Sequence, residues 1–336
     1  VTSHDPDRTP DRFALPSTLR RAFVAALCLA CGGVGSAAAQ GAFPSRAITI
    51  VVPFTAGGFS DTVARSVGAG LSQRLNVPVV IDNRPGGGGL IGAGAVVRAA
   101  ADGYTLFLAN ISTNAINPNI YKKSPFDVGE ELDPVVMVAM TPNVLAVGME
   151  VPAKTVKELV ELARTRQLSF GTPGTGSSGH LSGELFARRA DLKFLHVPYK
   201  GSPQVLPDVV NGSLQFTIDN ILTWAPLVKG ERVRALAVTG LKRSPLLPDV
   251  PTLDESGYPG FQATSWFGLA APKGTPRDVI GRLNAEVNAV LETPEFRQKV
   301  TGAEVVGGTA ESFRSFIATE RQKWGEVTRA ISLTAD

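Results

Sequence analysis

The chain has 336 residues, with 33 Lys and Arg against 30 Asp and Glu and a hydrophobic content of 43%. That length suits two domains or one large one, and a formal net charge of +3 without a concentrated basic surface offers no footprint for nucleic acid. Two cysteines and three histidines leave little material for a disulfide framework or a metal centre.

The first element in chain order is an export signal. Arg20 and Arg21 precede a short apolar run, and Ala37, Ala38 and Ala39 offer the small residues that a signal peptidase reads. Cleavage is expected after Ala39, so residues 1–39 are removed and the product is periplasmic. Cys28 and Cys31 both lie in that segment, and the exported chain would carry no disulfide and no cysteine nucleophile.

Residues 48–52 are β-branched and apolar and read as a buried strand. Pro53 ends it, Ala56, Gly57 and Gly58 turn the chain, and Ser60 or Asp61 is expected to cap a helix whose apolar face is Val63, Val67, Leu71 and Leu75. A strand at 79–81, a loop over 82–89, a helix at 91–100 and a strand at 104–108 complete a β-α-β-α-β series, the pattern of a parallel sheet covered by helices. Two separate strands are expected at 135–139 and 144–147. A second series follows, with helices at 154–165, 180–189, 203–210 and 221–229 between strands at 168–170, 194–197, 214–218 and 233–238. A strand at 266–271 and amphipathic helices at 276–291 and 310–330 finish the chain. The expected fold class is α/β, two open sheets joined by a two-strand hinge. Lobe 1 comprises 40–141 plus 262–336 and lobe 2 comprises 142–261, with a cleft at the carboxyl ends of the strands.

Two stretches could line that cleft. Residues 53–61 join the first strand to the first helix, and residues 171–180, GTPGTGSSGH, do the same in the second series. Glycines admit close backbone approach, and N–H groups at a helix start favour an anion. The second stretch matches G-x-G-x-x-G over Gly174–Gly179, but so do residues 87–92, and Asp191 comes before the next strand instead of at its end. A nicotinamide cofactor is therefore not expected, and no other cofactor is. Ser178, His180 and a remote Asp219 could be written as a hydrolytic triad, yet Ser178 lacks the G-x-S-x-G setting. His196 reads as structural, and Trp224, Trp266 and Trp324 as core or hinge packing.

The chain resembles the Bug (TctC-like) family, the extracytoplasmic solute receptors of tripartite tricarboxylate transporters. The resemblance is carried by Ile50-Val-Val-Pro-Phe-Thr-Ala-Gly-Gly58 with Asp61, Asp82-Asn-Arg-Pro-Gly-Gly-Gly-Gly89, Asp102-Gly-Tyr-Thr-Leu106, Ala115-Ile-Asn-Pro118, residues 171–181, His196-Val-Pro-Tyr-Lys-Gly-Ser202, Arg234-Ala-Leu-Ala-Val238, Leu247-Pro-Asp-Val-Pro-Thr252 and Trp266-Phe-Gly-Leu269. It implies a two-lobe periplasmic binding protein fold (type II, Venus flytrap) that closes over a small carboxylic acid without chemistry, works as a monomer and serves integral-membrane transporter subunits. A sensor presenting ligand to a membrane kinase is the related alternative, and a secreted serine hydrolase the alternative of a different class. The ligand contacts it implies are Phe54, Thr55, Ala56, Gly57, Gly58 and Asp61 in the first lobe, and Gly174, Thr175, Gly176, Ser177, Ser178, His180, Tyr199, Gly201, Asp219 and Asn220 in the second. Ser112 and Thr113 occupy a further cleft loop. Asn114, where many members carry His, and the bulky Phe59 depart from the family pattern and bear on ligand choice.

Overall fold

The computed structural model describes residues 1–3 and 43–335. The expected export signal at 1–39, with Cys28 and Cys31, therefore lies outside the described residues apart from the first three. Residues from Pro44 onward form one compact unit, and everything below lies within it. Among the described residues no helix is long and apolar enough to cross a membrane.

β1 (Ile48–Val52) pairs in parallel with β2 (Val79–Asn83) on one side and β3 (Thr105–Asn110) on the other. The crossovers are α1 (Phe59–Leu75) and α2 (Leu90–Val97). Val63, Val67, Leu71 and Leu75 are the buried face of α1, as their spacing predicts. The cap is different from expectation. α1 starts earlier, from Gly58 and without a side-chain cap, because Asp61 turns back to accept the Gly57 N–H at 3.1 Å.

The largest departure is β4 (Leu132–Gly148), one 17-residue strand where two were expected. Pro142 has no N–H to donate and reads as a break, but it sits where the strand changes partners. Leu132 to Pro142 pair antiparallel with β9 (Thr264–Pro272). Asn143 to Gly148 lie between β7 (Phe216–Asn220) and β8 (Val233–Val238). The second half also holds β5 (Ser169–Thr172), parallel to β6 (Leu195–Pro198) and β7. Its helices are α5 (Val156–Thr165), α6 (Ser178–Arg189), α7 (Ser202–Val210) and α8 (Ile221–Lys229). The two α/β series are thus fused through β4, in the strand order β2-β1-β3-β9-β4-β7-β5-β6.

Thr239 lies at the change-over. It donates its N–H to Asn143 O at 2.9 Å, accepts the Asn143 N–H at 2.9 Å and takes the Ala263 N–H on its carbonyl at 3.0 Å. α9 (Arg277–Leu291) and α11 (Ala310–Ala330) return the chain to the first half. Glu320 on α11 accepts the indole N–H groups of Trp324 at 2.9 Å and Trp266 at 3.1 Å, which ties α11 to β9. Short pieces that sequence periodicity is too weak to reveal include a π-turn at Ser112–Ile116 and a six-residue helix, α10 (Pro294–Lys299).

Candidate functional site

The carboxyl ends of β1, β3, β5 and β7 converge on one cavity of about 40 Å³. That is room for a few water-sized groups. Phe54, Thr55, Gly58, Phe59 and Ser60 line it from the loop after β1, and Asn110, Ile111 and Ser112 from the end of β3 and the turn after it. Pro173, Ser177 and Ser178 come from the loop after β5, Ser202 from the start of α7, and Asp219 and Asn220 from the end of β7. β9 adds Ser265 and Phe267. The rim is drawn together by the Thr55 N–H, which donates to Lys200 O at 3.1 Å. Gly201 permits that approach, since a Cβ there would overlap the Thr55 hydroxyl.

The first loop is braced from behind by a carboxylate. Asp61 is buried and accepts from Gly57 N, from Arg65 Nε at 2.8 Å and from Asn83 Nδ2 at 3.0 Å. Asn83 also donates to Phe54 O at 3.1 Å. Burial pushes the Asp61 pKa up, but the bonds from Arg65, Gly57 and Asn83 outweigh it and hold the carboxyl below its usual value. Asp61 shapes the loop with these bonds, while Ala56 and Gly57 sit exposed at the loop tip.

The second loop is braced by neutral groups. Ser177 caps α6 by accepting the His180 N–H at 3.2 Å, and the Gly176 N–H donates to His180 Nδ1 at 3.1 Å. The His180 ring stacks on His196, centroids 3.8 Å apart, and His196 Nε2 bonds Thr172 Oγ1 at 2.7 Å. Thr172 in turn donates to Gly174 O at 3.2 Å. Burial, with the facing His196, pushes His180 down to about 3, and burial pushes His196 down to about 4. Both rings are therefore neutral near pH 7. The 3.7 Å approach of His180 Nε2 to Glu184 Oε1 is not an ion pair at that pH.

Two residues that sequence reasoning passed over, Asn143 and the cavity-lining Ser265, connect the site to the change-over of β4. Ser178 Oγ and Ser265 Oγ lie 2.7 Å apart, and both bond Asn143 Oδ1, at 3.3 and 3.1 Å. The available signal was a buried Asn inside an apolar strand, which needs partners. Asp219 is also buried. Its Oδ1 accepts the Asn220 N–H at 2.7 Å and its Oδ2 the Trp224 indole N–H at 2.9 Å, so Trp224 does more than pack. Among the described residues no hydrogen bond links Ser178, His180 and Asp219 into a relay. Thr113 turns its hydroxyl to Asn110 O and Asn114 Oδ1, and the Tyr199 hydroxyl donates to Asp208. Gly174, Thr175 and Gly176 form the loop backbone between Pro173 and Ser177 and are not among the residues that line the cavity.

A family model described as "Tripartite tricarboxylate transporter family receptor" matches residues 63–333. Protein BugT of Bordetella pertussis is 35% identical over 311 residues, 91% of this chain and 95% of BugT. The solved structure of R. palustris Rpa4515 with adipate superposes with a TM-score of 0.84 at 37% identity, covering 87% of this chain and 99% of that one. MatC (Rpa3494) from Rhodopseudomonas palustris with bound malate gives 0.82 at 32% identity, covering 85% and 99%. The chain has the two-lobe fold of these periplasmic binding proteins.

Proposed function

The chain belongs to the tripartite tricarboxylate transporter receptor family, and from that premise we propose that it captures a small carboxylic acid in the cavity and delivers it to membrane transporter subunits. The observation that carries this reading is the make-up of the wall. Hydroxyl and amide donors from strand ends surround the cavity, and among the described residues no Lys or Arg lines it. Such a site can replace the hydration of a carboxylate with fixed neutral donors. The adipate and malate in the two related structures support the same ligand class.

In this reading lobe 1 is 40–141 plus 262–336 and lobe 2 is 142–261, supported by the partner change of β4 at Pro142 and Asn143 and by the Thr239–Ala263 bond. The lobes close through the Thr55–Lys200 contact, the protein acts in the periplasm, and ligand leaves unchanged. The test is a thermal-shift and calorimetric screen of the exported chain against carboxylic acids, amino acids, sugars and NAD. A bound acid at 100 times its Kd should add about 2.7 kcal/mol, several degrees in Tm. Stabilisation by sugars or NAD alone would sink the reading, and turnover of model esters lost in Ser178→Ala would replace it with a hydrolase. Within it, Phe59, edge-to-face with Phe267 at 5.4 Å, sets the ligand's bulk. Phe59→Ala should shift preference toward longer or bulkier acids, measured across a homologous series.

A further inference from the structure

The cavity wall is unbalanced between donors and acceptors. Two lining residues carry buried polar atoms without a partner, Thr55 Oγ1 from the loop after β1 and Asn220 Nδ2 from the end of β7. Asn220 is only 6% exposed. Its Oδ1 accepts the Leu222 N–H at 3.0 Å as the cap of α8, so the group it has left without any partner is the Nδ2 donor. Ser177 Oγ likewise accepts the His180 N–H, which leaves its own hydrogen to give.

The carbonyl and carboxyl side-chain acceptors of Asn110 and Asp219 on the same wall are already engaged. Asn110 Oδ1 takes the N–H groups of Ser112 at 2.9 Å and Thr113 at 3.2 Å. Asp219 is the one carboxyl among the lining residues, and Asn220 N and Trp224 Nε1 donate to its two oxygens. Burial pushes that carboxyl up to about 6 against the pull of its donors, and both of its oxygens already hold hydrogen bonds from the protein. An ammonium group brings three donors and no acceptor, and burying it here would leave its N–H groups unpaired. A carboxylate or carbonyl oxygen brings what Thr55 and Asn220 lack.

We propose that the ligand is an organic acid without an ammonium group, one of its oxygens held between the Thr55 hydroxyl and the Asn220 amide, and that the site rejects the amino acid of the same skeleton. This inference rests on the carboxylate reading above and narrows it. Thr55 and Asn220 come from the two halves of the sheet, so a ligand oxygen between them also joins those halves.

The experiment is titration calorimetry of the exported chain with matched pairs: succinate and aspartate, glutarate and glutamate, adipate and 2-aminoadipate, 3-phenylpropionate and phenylalanine. At least one non-amino member should bind, with its amino partner weaker by at least about tenfold. An amino member that binds as tightly as its partner or tighter overturns the inference and leaves the carboxylate receptor standing. Binding by no member of any pair overturns both. Asn220→Asp keeps the cap acceptor and exchanges the amide for a second acceptor. It should weaken the preferred acid by at least about tenfold and narrow the ratio within its pair. Thr55→Val removes the hydroxyl at near-constant shape and should weaken that acid by at least about fivefold with Tm unchanged, which covers the case of a misfolded Asn220→Asp. Unchanged affinity in both variants overturns the assignment.

Discussion

The two glycine loops occupy equivalent places, each between the carboxyl end of a parallel strand and a helix, and they are braced by opposite chemistry. Behind the first is an ionised carboxylate, Asp61, whose charge is absorbed by Gly57, Asn83 and the half-exposed Arg65. Behind the second are two stacked neutral imidazoles, His180 buried and His196 partly so, and a chain of buried hydroxyls. A loop with access to solvent can keep a charge behind it because water and a flexible arginine share the cost. A loop packed against β7 has neither, and a charge there would pay the full desolvation penalty. Neutral imidazole still supplies an acceptor for the Gly176 N–H.

Four measurements would break or sharpen this contrast. The largest effect is expected in the second loop, at Gly179, where a Cβ would overlap the Ile218 carbonyl oxygen. Backbone cannot step aside as a side chain can. Gly179→Ala should therefore cost about 4 kcal/mol in a urea titration, and a loss under about 1 kcal/mol would show that α6 is not seated on β7 as described.

Acid comes next. The folded pKa values of His180 and His196 lie below the ordinary 6.5, so the unfolded chain binds more protons. Their stabilisation is complete above about pH 6.5 and fades as pH falls toward 4 and 3. Asp219 has the opposite sign. Its raised pKa favours the fold below 3.8, and that contribution fades as pH climbs through about 6. At about 1.4 kcal/mol per pH unit per group, two histidines losing over about 2 units each against one aspartate gaining over about 1.5 leave a net loss of about 3 kcal/mol from pH 7 to 4.5. His196→Gln should flatten that slope. Equal slopes for the two proteins would refute the neutral-pair account.

Asp61→Asn tests the charged brace. The amide can still accept from Gly57 but no longer pairs with Arg65, and a loss of about 1–2 kcal/mol at pH 7 is expected, together with weaker binding of the identified acid. Unchanged stability and affinity would mean that the loop holds itself. The smallest effect belongs to Gly58→Ala. A Cβ at Gly58 meets Pro203 Cδ at 3.6 Å, an ordinary contact, so the stability change should stay within about 1 kcal/mol. A cost as large as that at Gly179 would erase the difference between the loops.

The alternation of strands and helices was legible because its signals are local. Ile48–Val52 is an unbroken β-branched run, and Val63, Val67, Leu71 and Leu75 mark a helical face at the right spacing. Both glycine loops and their positions between strand and helix could be read in the same way. The unity of β4 could not, because a proline in mid-strand is tolerated only if neighbours elsewhere in the chain accommodate it. Nor could the roles of residues within the loops. Asp61 and His180 read as ligand contacts on paper, and only their folded partners show that they also brace backbone.

The amino-acid sequence by itself therefore determined the α/β class, the two series of elements, the position of both loops and the family, since each rests on short-range pattern or on ordered motifs. Tertiary structure alone decided that Asn143, Ser178 and Ser265 meet at the change-over of β4, and that Asp219 is enclosed by Trp224 and Ser202. It also decided that Thr55 and Asn220 hold donors without partners at one cavity. Hydrogen-bond satisfaction is settled by distance in the folded chain, and residues 165 positions apart carry no local mark of sharing a site.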